Sequence, residues 1–158
     1  MSTLKFLGWL LLAGTVVIAD QASKYWMMSA FVVGDHVAVT PFFNLVLVFN
    51  SGAAFSFLAS AGGWQRWIFV TLALVISVWI IFLLRKHAAE RLMSFSLALI
   101  LGGALGNVVD RIVHGAVLDF LDFYIAGWHW PAFNVADSAI TIGVTLLLWH
   151  QFRHETRR

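Results

Sequence analysis

Four long apolar stretches constrain the fold more than any other feature of this sequence. They cover roughly residues 6–27, 67–84, 93–112 and 135–152. Each is close to the ~20 apolar residues that an α-helix needs to cross a bilayer. Only 11% of the residues are charged, less than half of the ~25% typical of a soluble domain. The sequence therefore predicts an all-α membrane protein in which residues 1–158 form a single integral membrane domain with four transmembrane helices.

Two longer connecting segments, about residues 29–66 and 113–134, lie on the same side of the predicted helices. In the first, residues 37–40 and 42–49 have the β-branched and aromatic content of short strands. Pro41 separates them and cannot occupy a central strand. We therefore expect small strands that lie on the outer surface. The small residues that follow, within residues 50–57, let the backbone approach another backbone closely.

The distribution of basic residues predicts the orientation in the membrane. Most of them fall on one side of the four-helix arrangement, namely Lys5, Arg85, Lys86, Arg91, Arg153, Arg157 and Arg158. Because Lys and Arg favour the cytoplasmic side, we expect a multi-pass protein with both termini cytoplasmic and the aspartates near the outer face. A cleavable signal peptide is an alternative for the first stretch. The apolar character that resumes at residues 25–28 favours a retained helix.

Aspartates inside or at the rims of the apolar stretches are the main functional signal: Asp20, Asp110, Asp119 and Asp137. A carboxylate near hydrocarbon costs at least ~2.5–3.5 kcal/mol at a helix centre and usually marks chemistry or a transport path. Asp20 and Lys24 are four residues apart, so they share a helical face and are expected to pair. The G-x-x-x-G spacing of residues 102–106 predicts close helix packing. Beyond it, Asp110 is expected to contact Arg111.

Asp119 and Asp137 have no basic neighbour in the sequence that would neutralise them. We expect Asn134 to cap the fourth helix, which leaves Asp137 to find a partner inside the bundle. That partner is either Lys24 or Arg111 in a structural ion pair, or another aspartate in a catalytic dyad, and spacing alone does not choose. In a dyad, two carboxylates share one proton. One activates a water molecule while the other polarises an amide carbonyl.

Other kinds of chemistry lack their sequence signatures. The chain has no cysteine, no H-E-x-x-H zinc motif and no G-x-S-x-G elbow. No metal, cofactor or nucleic acid is therefore expected. A small proton-coupled transporter with aspartate relays is the main alternative to a hydrolase, and a non-enzymatic assembly factor is a weaker one. Polar residues gather at one side rather than at mid-span in several helices, which favours the hydrolase.

Five motifs, in order along nearly the whole chain, resemble the lipoprotein signal peptidase (signal peptidase II) family of bacteria. They are Asp20 with Lys24, Asn50-x-Gly52-Ala53-Ala54-Phe55, Gly102-Gly103-Ala104-x-Gly106-Asn107-x-x-Asp110-Arg111, Val117-x-Asp119-Phe120 and Phe133-Asn134-x-Ala136-Asp137. The resemblance implies an aspartic endopeptidase of the bacterial inner membrane. Such an enzyme removes the signal peptide from diacylglyceryl-modified prolipoproteins, just before the lipid-modified cysteine. In this interpretation the outer strands form a small periplasmic β-sheet platform, and residues 50–57 form a lid-like segment over the substrate groove.

The resemblance also implies residue roles and partners. It makes Asp119 and Asp137 the catalytic pair. The supporting or substrate-binding positions that it implies are Asp20, Lys24, Asn50, Gly52, Asn107, Asp110, Arg111, Asn134 and Ala136. The implied partners are a prolipoprotein signal peptide with its diacylglyceryl-cysteine and the membrane lipids, with the enzyme as a monomer. Asp122, three residues beyond the catalytic motif, is interpreted as a loop acid.

Overall fold

The structure, a computed structural model, describes residues 3–52 and 62–155. Its elements in chain order are α1 (Thr3–Ala30), β1 (His36–Thr40), β2 (Phe43–Asn50), α2 (Gln65–His87), α3 (Arg91–Val113), β3 (Val117–Ile125), β4 (Trp128–His129) and α4 (Val135–Glu155). The predicted fold class, a helical membrane protein with a small antiparallel sheet, is confirmed. Most of the predicted lid-like segment, including Ala53, Ala54 and Phe55, lies outside the described residues.

Helix α3 is the central helix of the bundle and packs against α1, α2 and α4. Within the described ranges, α1, α2 and α3 are long and apolar enough to cross a membrane. The buried share of the apolar window is 56% in α3, against 22% in α2 and 11% in α1. Helix α4 has 21 residues and is not among these three, because polar residues near both of its ends, Asp137 with Ser138 and His150 with Gln151, reduce its apolar character.

Glycines on α3 allow its neighbours to approach closely, as the G-x-x-x-G spacing predicts. A Cβ atom added at Gly102 would lie 2.6 Å from the carbonyl oxygen of Ala13 on α1. One added at Gly103 would collide with the carbonyl group of Ala136 on α4. These contacts leave no room for a side chain, so the two glycines set how near α1 and α4 lie to α3.

The four strands form one antiparallel sheet in the order β1-β2-β3-β4. The two strands predicted in the first outer segment are present as β1 and β2. The second outer segment, for which no strand was predicted, contributes β3 and β4. Residues 117–120 of β3 are all buried, so the strand shows no alternation of polar and apolar residues that would reveal it in the sequence.

An apolar cluster attaches the sheet to the bundle. It consists of Met27 at the end of α1, Leu47 on β2, and Leu118 and Phe120 on β3, all at most 5% exposed. A separate cluster that includes Leu84 and other residues of α1, α2 and α3 forms the core nearer the opposite end. The first cluster holds the beginning of β3 against the helix ends, and Asp119 lies in that part of the strand.

We predict that Gly103→Ala lowers the melting temperature of the detergent-solubilised protein. The added methyl group meets the backbone of α4, and overpacking of this kind costs about 1–3 kcal/mol. Gly14→Ala on α1 is the matched control, because a Cβ there would have no atom within 4 Å. The control should keep or slightly raise the melting temperature, since Ala is the better helix former. Equal behaviour of the two variants would contradict the packing role of Gly103.

Candidate active site

Asp119 and Asp137 line the same cavity, although they come from different elements. The cavity has a volume of about 520 Å³ and lies between α3, β3 and α4. Asp119 reaches it from β3 and Asp137 from the first turn of α4. Its remaining lining residues are Asn50, Gly52, Asn107, Arg111, Val117, Trp130, Pro131, Ala132, Phe133, Ser138, Ile140, Thr141 and Ile142.

Asn134 connects the two carboxylate-bearing elements. Its Oδ1 accepts a hydrogen bond of 2.8 Å from the backbone N–H of Asp137, which confirms the predicted cap of α4. Its Nδ2 donates a hydrogen bond of 2.8 Å to Oδ1 of Asp119. The side chain is fully buried, so a single amide fixes the start of α4 relative to β3.

Two further amides donate hydrogen bonds to the carboxylates. Asn107 Nδ2 donates to Asp137 Oδ1 over 2.7 Å, and Asn50 Nδ2 donates to Asp119 Oδ2 over 3.3 Å. Across the residues that the structure describes, neither Asp119 nor Asp137 makes a salt bridge. Asp137 is therefore held by a neutral amide, and the alternative of an ion pair with Lys24 or Arg111 is wrong.

A buried ion triad lies behind the cavity. Lys24 Nζ is 2.8 Å from Asp20 Oδ2, as predicted, and 2.7 Å from Asp110 Oδ2. The three side chains are at most 2% exposed. Lys24 also donates a hydrogen bond of 3.2 Å to Oδ1 of Asn107. An ammonium group has three N–H donors, and these three acceptors are enough to use them all.

The two carboxylates of the triad also bind the backbone of other elements. Asp20 Oδ1 accepts the N–H of Ala136 over 2.9 Å, which ties α1 to the start of α4. Asp110 Oδ2 accepts the N–H of Leu118 over 3.0 Å, which ties α3 to β3. The triad thus positions both elements that carry the cavity aspartates.

The predicted contact between Asp110 and Arg111 is wrong. Adjacent residues on an α-helix point about 100° apart, so Asp110 faces α1 while Arg111 faces the cavity. Arg111 donates hydrogen bonds of 3.3 Å to the carbonyl oxygens of Asn107 and Gly52. Its guanidinium lies 5.2 Å from the ring centre of Phe69. Gly52 is held from its other side by Asn50, whose Oδ1 accepts the Gly52 N–H over 3.0 Å.

The electrostatic environment of Asp119 favours its protonated form. Burial and the neighbouring charge of Asp137 raise the pKa of Asp119 to about 7, although hydrogen bonds from Asn50 and Asn134 act in the opposite direction. A carboxyl group with that pKa exists in both protonation states near neutral pH. It can therefore either accept or donate a proton in a hydrolytic reaction.

Asp122 is not the loop acid that the sequence suggested. It lies on β3, is 6% exposed, and accepts a hydrogen bond of 2.7 Å from Asn44 Nδ2. Nδ1 of His129 lies 2.9 Å from its Oδ1. Burial raises its pKa, but the hydrogen bonds from Asn44 and His129 outweigh that effect and lower the pKa below its usual value. Asp122 does not line the cavity. Asp122 follows Asp119 by three positions, and an odd spacing on a strand places side chains on opposite faces.

Some residues around the site had no signal in the sequence. Gln21 donates to Asp110 Oδ1 over 2.8 Å and to Asp20 Oδ2 over 3.1 Å, so it bridges the two acids of the triad. Nothing in its spacing distinguished it from other polar residues. Residues 130–133 also line the cavity. They reach it because Phe133 pairs with Leu121 of β3 in an isolated bridge, a long-range contact that local sequence does not specify.

We predict that Lys24→Met destabilises the protein strongly while Arg111→Gln leaves its melting temperature close to that of the wild type. The first variant leaves Asp20 and Asp110 without their cation, and breaking a buried pair costs about 3–5 kcal/mol. The second leaves the triad intact. Thermal unfolding in detergent measures both effects. Similar losses in the two variants would show that Arg111 is as important to folding as the triad.

We also predict that Asp119→Asn raises the melting temperature more at about pH 8 than at about pH 5. The native pKa of about 7 lies above the ~3.9 of an unfolded aspartate. Folding therefore favours the protonated group, and the wild type loses stability as the pH rises through that interval. Asparagine stays neutral and avoids the loss. Thermal unfolding at both pH values tests this, and a larger gain at the lower pH would contradict it.

Comparisons with known proteins cover nearly the whole chain. The family described as signal peptidase (SPase) II matches residues 12–153. A lipoprotein signal peptidase from Janthinobacterium sp. (strain Marseille) is 55% identical over 152 residues, which are 96% of this chain and 92% of that relative. Another from Burkholderia mallei (strain SAVP1) is 54% identical over 145 residues, 92% of this chain and 87% of the relative.

Solved structures share the fold. A bacterial membrane enzyme determined by the in meso method at 2.3 Å resolution has a TM-score of 0.86 and 33% identity, covering 96% of this chain and 91% of the other. A second, at 1.9 Å resolution, has a TM-score of 0.79 and 35% identity, covering 91% and 92%. Both sequence and fold agree over most of their length, and the chain therefore belongs to the signal peptidase II family.

Proposed function

We propose that this chain is an aspartic endopeptidase that removes the signal peptide from diacylglyceryl-modified prolipoproteins, just before the lipid-modified cysteine. The relatives named lipoprotein signal peptidases support the substrate class. The observation that supports the aspartic mechanism is the pair of carboxylates, Asp119 and Asp137, which line one cavity and are held by amides without a cation. Residues 1–158 then act as a single peptidase domain, and as a monomer, because one chain supplies both aspartates.

The reaction begins with one proton shared between the two aspartates. The ionised carboxylate removes a proton from a water molecule, whose oxygen attacks the carbonyl carbon of the scissile amide. The protonated carboxyl group donates its proton to the carbonyl oxygen and stabilises the tetrahedral intermediate. The intermediate then collapses as a proton passes to the amide nitrogen and the C–N bond breaks. The lipid-modified cysteine leaves with the new amino group.

Amide ligands suit this chemistry better than cations would. A lysine or arginine next to Asp119 would lower its pKa and hold it ionised. The amides of Asn50, Asn107 and Asn134 orient the carboxylates through hydrogen bonds but carry no net charge. The pair can therefore keep the one proton that the mechanism needs near neutral pH.

The other residues implied by the motifs have supporting roles in this proposal. Asp20, Lys24 and Asp110 form the buried framework, and Ala136 is part of it through its backbone N–H. Arg111 and Gly52 lie at the cavity wall, where we propose that they contact the substrate backbone. The apolar side chains of Ile140 and Ile142 line the same cavity and offer a surface for the signal peptide.

The orientation in the bilayer is part of the proposal. We propose a location in the bacterial inner membrane, with four membrane crossings, both termini in the cytoplasm, and the cavity near the outer face. The excess of Lys and Arg at the ends of α1, α2, α3 and α4 away from the cavity supports this. The substrate's lipid chains can then stay in the bilayer while its scissile bond reaches the carboxylates.

A transporter has less support than a peptidase. A proton relay through the bundle would need polar groups along its length. The core cluster of α1, α2 and α3 is made of apolar side chains such as Ile80, Leu97 and Leu101. The acids Asp119 and Asp137 line the cavity, and Asp20 and Asp110 lie behind it, all at the sheet end of the described bundle.

We predict that Asp119→Asn and Asp137→Asn each reduce cleavage of a lipid-modified precursor peptide by about a hundredfold or more, because asparagine cannot transfer the proton. Asp122→Asn is the matched control: it removes a buried carboxylate from the same strand but outside the cavity. It should cleave at a rate close to that of the wild type. An unmodified peptide should remain uncut by all variants. Wild-type turnover in either cavity variant would disprove the catalytic assignment.

Orientation is tested by labelling single cysteines, since the chain has none of its own. We predict that a cysteine at Val39 on β1, which is 53% exposed, reacts with an impermeant thiol reagent in spheroplasts. A cysteine at Lys86 in the last turn of α2 should react only after the membrane is permeabilised. The reverse pattern would place the cavity on the cytoplasmic side and contradict the proposed function.

A further inference from the structure

A second cavity lies at the opposite end of the bundle from the aspartates. Its volume is about 340 Å³, and it lies between the first turns of α1 and the turn that joins α2 to α3. The lining residues are Lys5, Gly8, Trp9, Leu12, Ala88, Ala89 and Arg91. None of them takes part in the proteolytic site.

The inner wall of this cavity is apolar and firmly held. The indole N–H of Trp9 donates a hydrogen bond of 3.1 Å to the carbonyl oxygen of Ala88, which fastens the turn to α1. Trp9 and Leu12 also pack against the apolar core of the bundle. At Gly8, an added Cβ atom would meet nothing within 4 Å. The glycine therefore leaves open space beside the helix instead of permitting a close helix contact.

Two cations flank this apolar space. Lys5 and Arg91 are both exposed, and neither makes a salt bridge with any described acid. The nearest acid in sequence, Glu90, is paired with Nδ1 of His87 over 2.7 Å. Arg91 is also the first residue of α3, where the helix dipole adds to the attraction for an anion.

We propose that this cavity binds one anionic phospholipid, with its phosphodiester between Lys5 and Arg91 and one acyl chain against Gly8 and Leu12. An apolar cleft with cations at its rim has the chemistry of such a site when it lies at the cytoplasmic end of a helical bundle, as proposed for this one. The cations match the phosphate and the open space beside Gly8 accepts hydrocarbon. The bound lipid links the start of α1 to the turn between α2 and α3, and thereby stabilises the bundle at this end.

Native mass spectrometry of delipidated protein in detergent tests the proposal, with phosphatidylglycerol and phosphatidylcholine as probes. The wild type should retain one phosphatidylglycerol with clear preference over phosphatidylcholine, and its melting temperature should rise only with the former. The double variant Lys5→Gln/Arg91→Gln should bind phosphatidylglycerol about tenfold more weakly. The control Arg85→Gln/Lys86→Gln removes the same charge from a neighbouring position outside the cavity and should bind like the wild type.

Gly8→Leu tests the acyl-chain half of the site. A Cβ atom at this position meets nothing within 4 Å, so the leucine side chain can enter the open space, and the protein should fold normally and lose the bound lipid. Equal binding of the two lipids, or equal weakening by the two charge variants, would overturn the proposal in favour of non-specific adsorption. Unchanged binding by Gly8→Leu would overturn the placement of the acyl chain. None of these outcomes depends on proteolysis, because the readouts are lipid mass and thermal stability.

Discussion

The buried ammonium group of Lys24 is the interaction on which the site depends. It compensates Asp20 and Asp110 at 2.8 and 2.7 Å, and the two acids in turn bind the backbone of Ala136 and Leu118. A single charge thus holds α1, α3, β3 and α4 together behind the cavity. Ionised groups this deeply buried are costly unless every donor and acceptor is satisfied. The additional hydrogen bonds from Gln21 to both acids meet that requirement.

Lys24 also determines how the cavity amides point. Because Oδ1 of Asn107 accepts from Lys24, its Nδ2 must face the other way, and it donates to Asp137. The side-chain amide of Asn134 is oriented in the same way: its Oδ1 accepts a hydrogen bond from the N–H at the start of α4, and its Nδ2 donates one to Asp119. Both aspartates therefore accept hydrogen bonds from amides, while the salt bridges of Lys24 are made with Asp20 and Asp110. One layer of amide side chains therefore separates the ion triad around Lys24 from the two cavity aspartates, which keep a proton between them.

The two ends of the bundle differ in the polarity of their interiors, and this difference follows from how the helices pack at each end. At the sheet end, Gly102 and Gly103 bring α1 and α4 against α3, and the buried acids Asp20 and Asp110 are both paired with Lys24. At the other end, Gly8 leaves a space that none of the described residues fills. The described bundle therefore combines a preorganised polar site with an apolar cleft at its opposite end. The first suits hydrolysis of an amide, and the second suits a component of the membrane.

The sequence by itself determined the class of protein, the helices and the first two strands, because these depend on hydropathy and local composition. It also determined the Asp20–Lys24 pair and the Asn134 cap, because these depend on a spacing of four residues and on local capping chemistry. Only the tertiary structure decided the partners that come from distant parts of the chain. Asp110 pairs with Lys24 rather than with adjacent Arg111, since neighbours on a helix diverge. Asp122 is a buried strand residue because β3 is covered on both faces and shows no alternation. Asp119 and Asp137 lie in one cavity through the packing of β3 against α4, a long-range contact that no local pattern encodes.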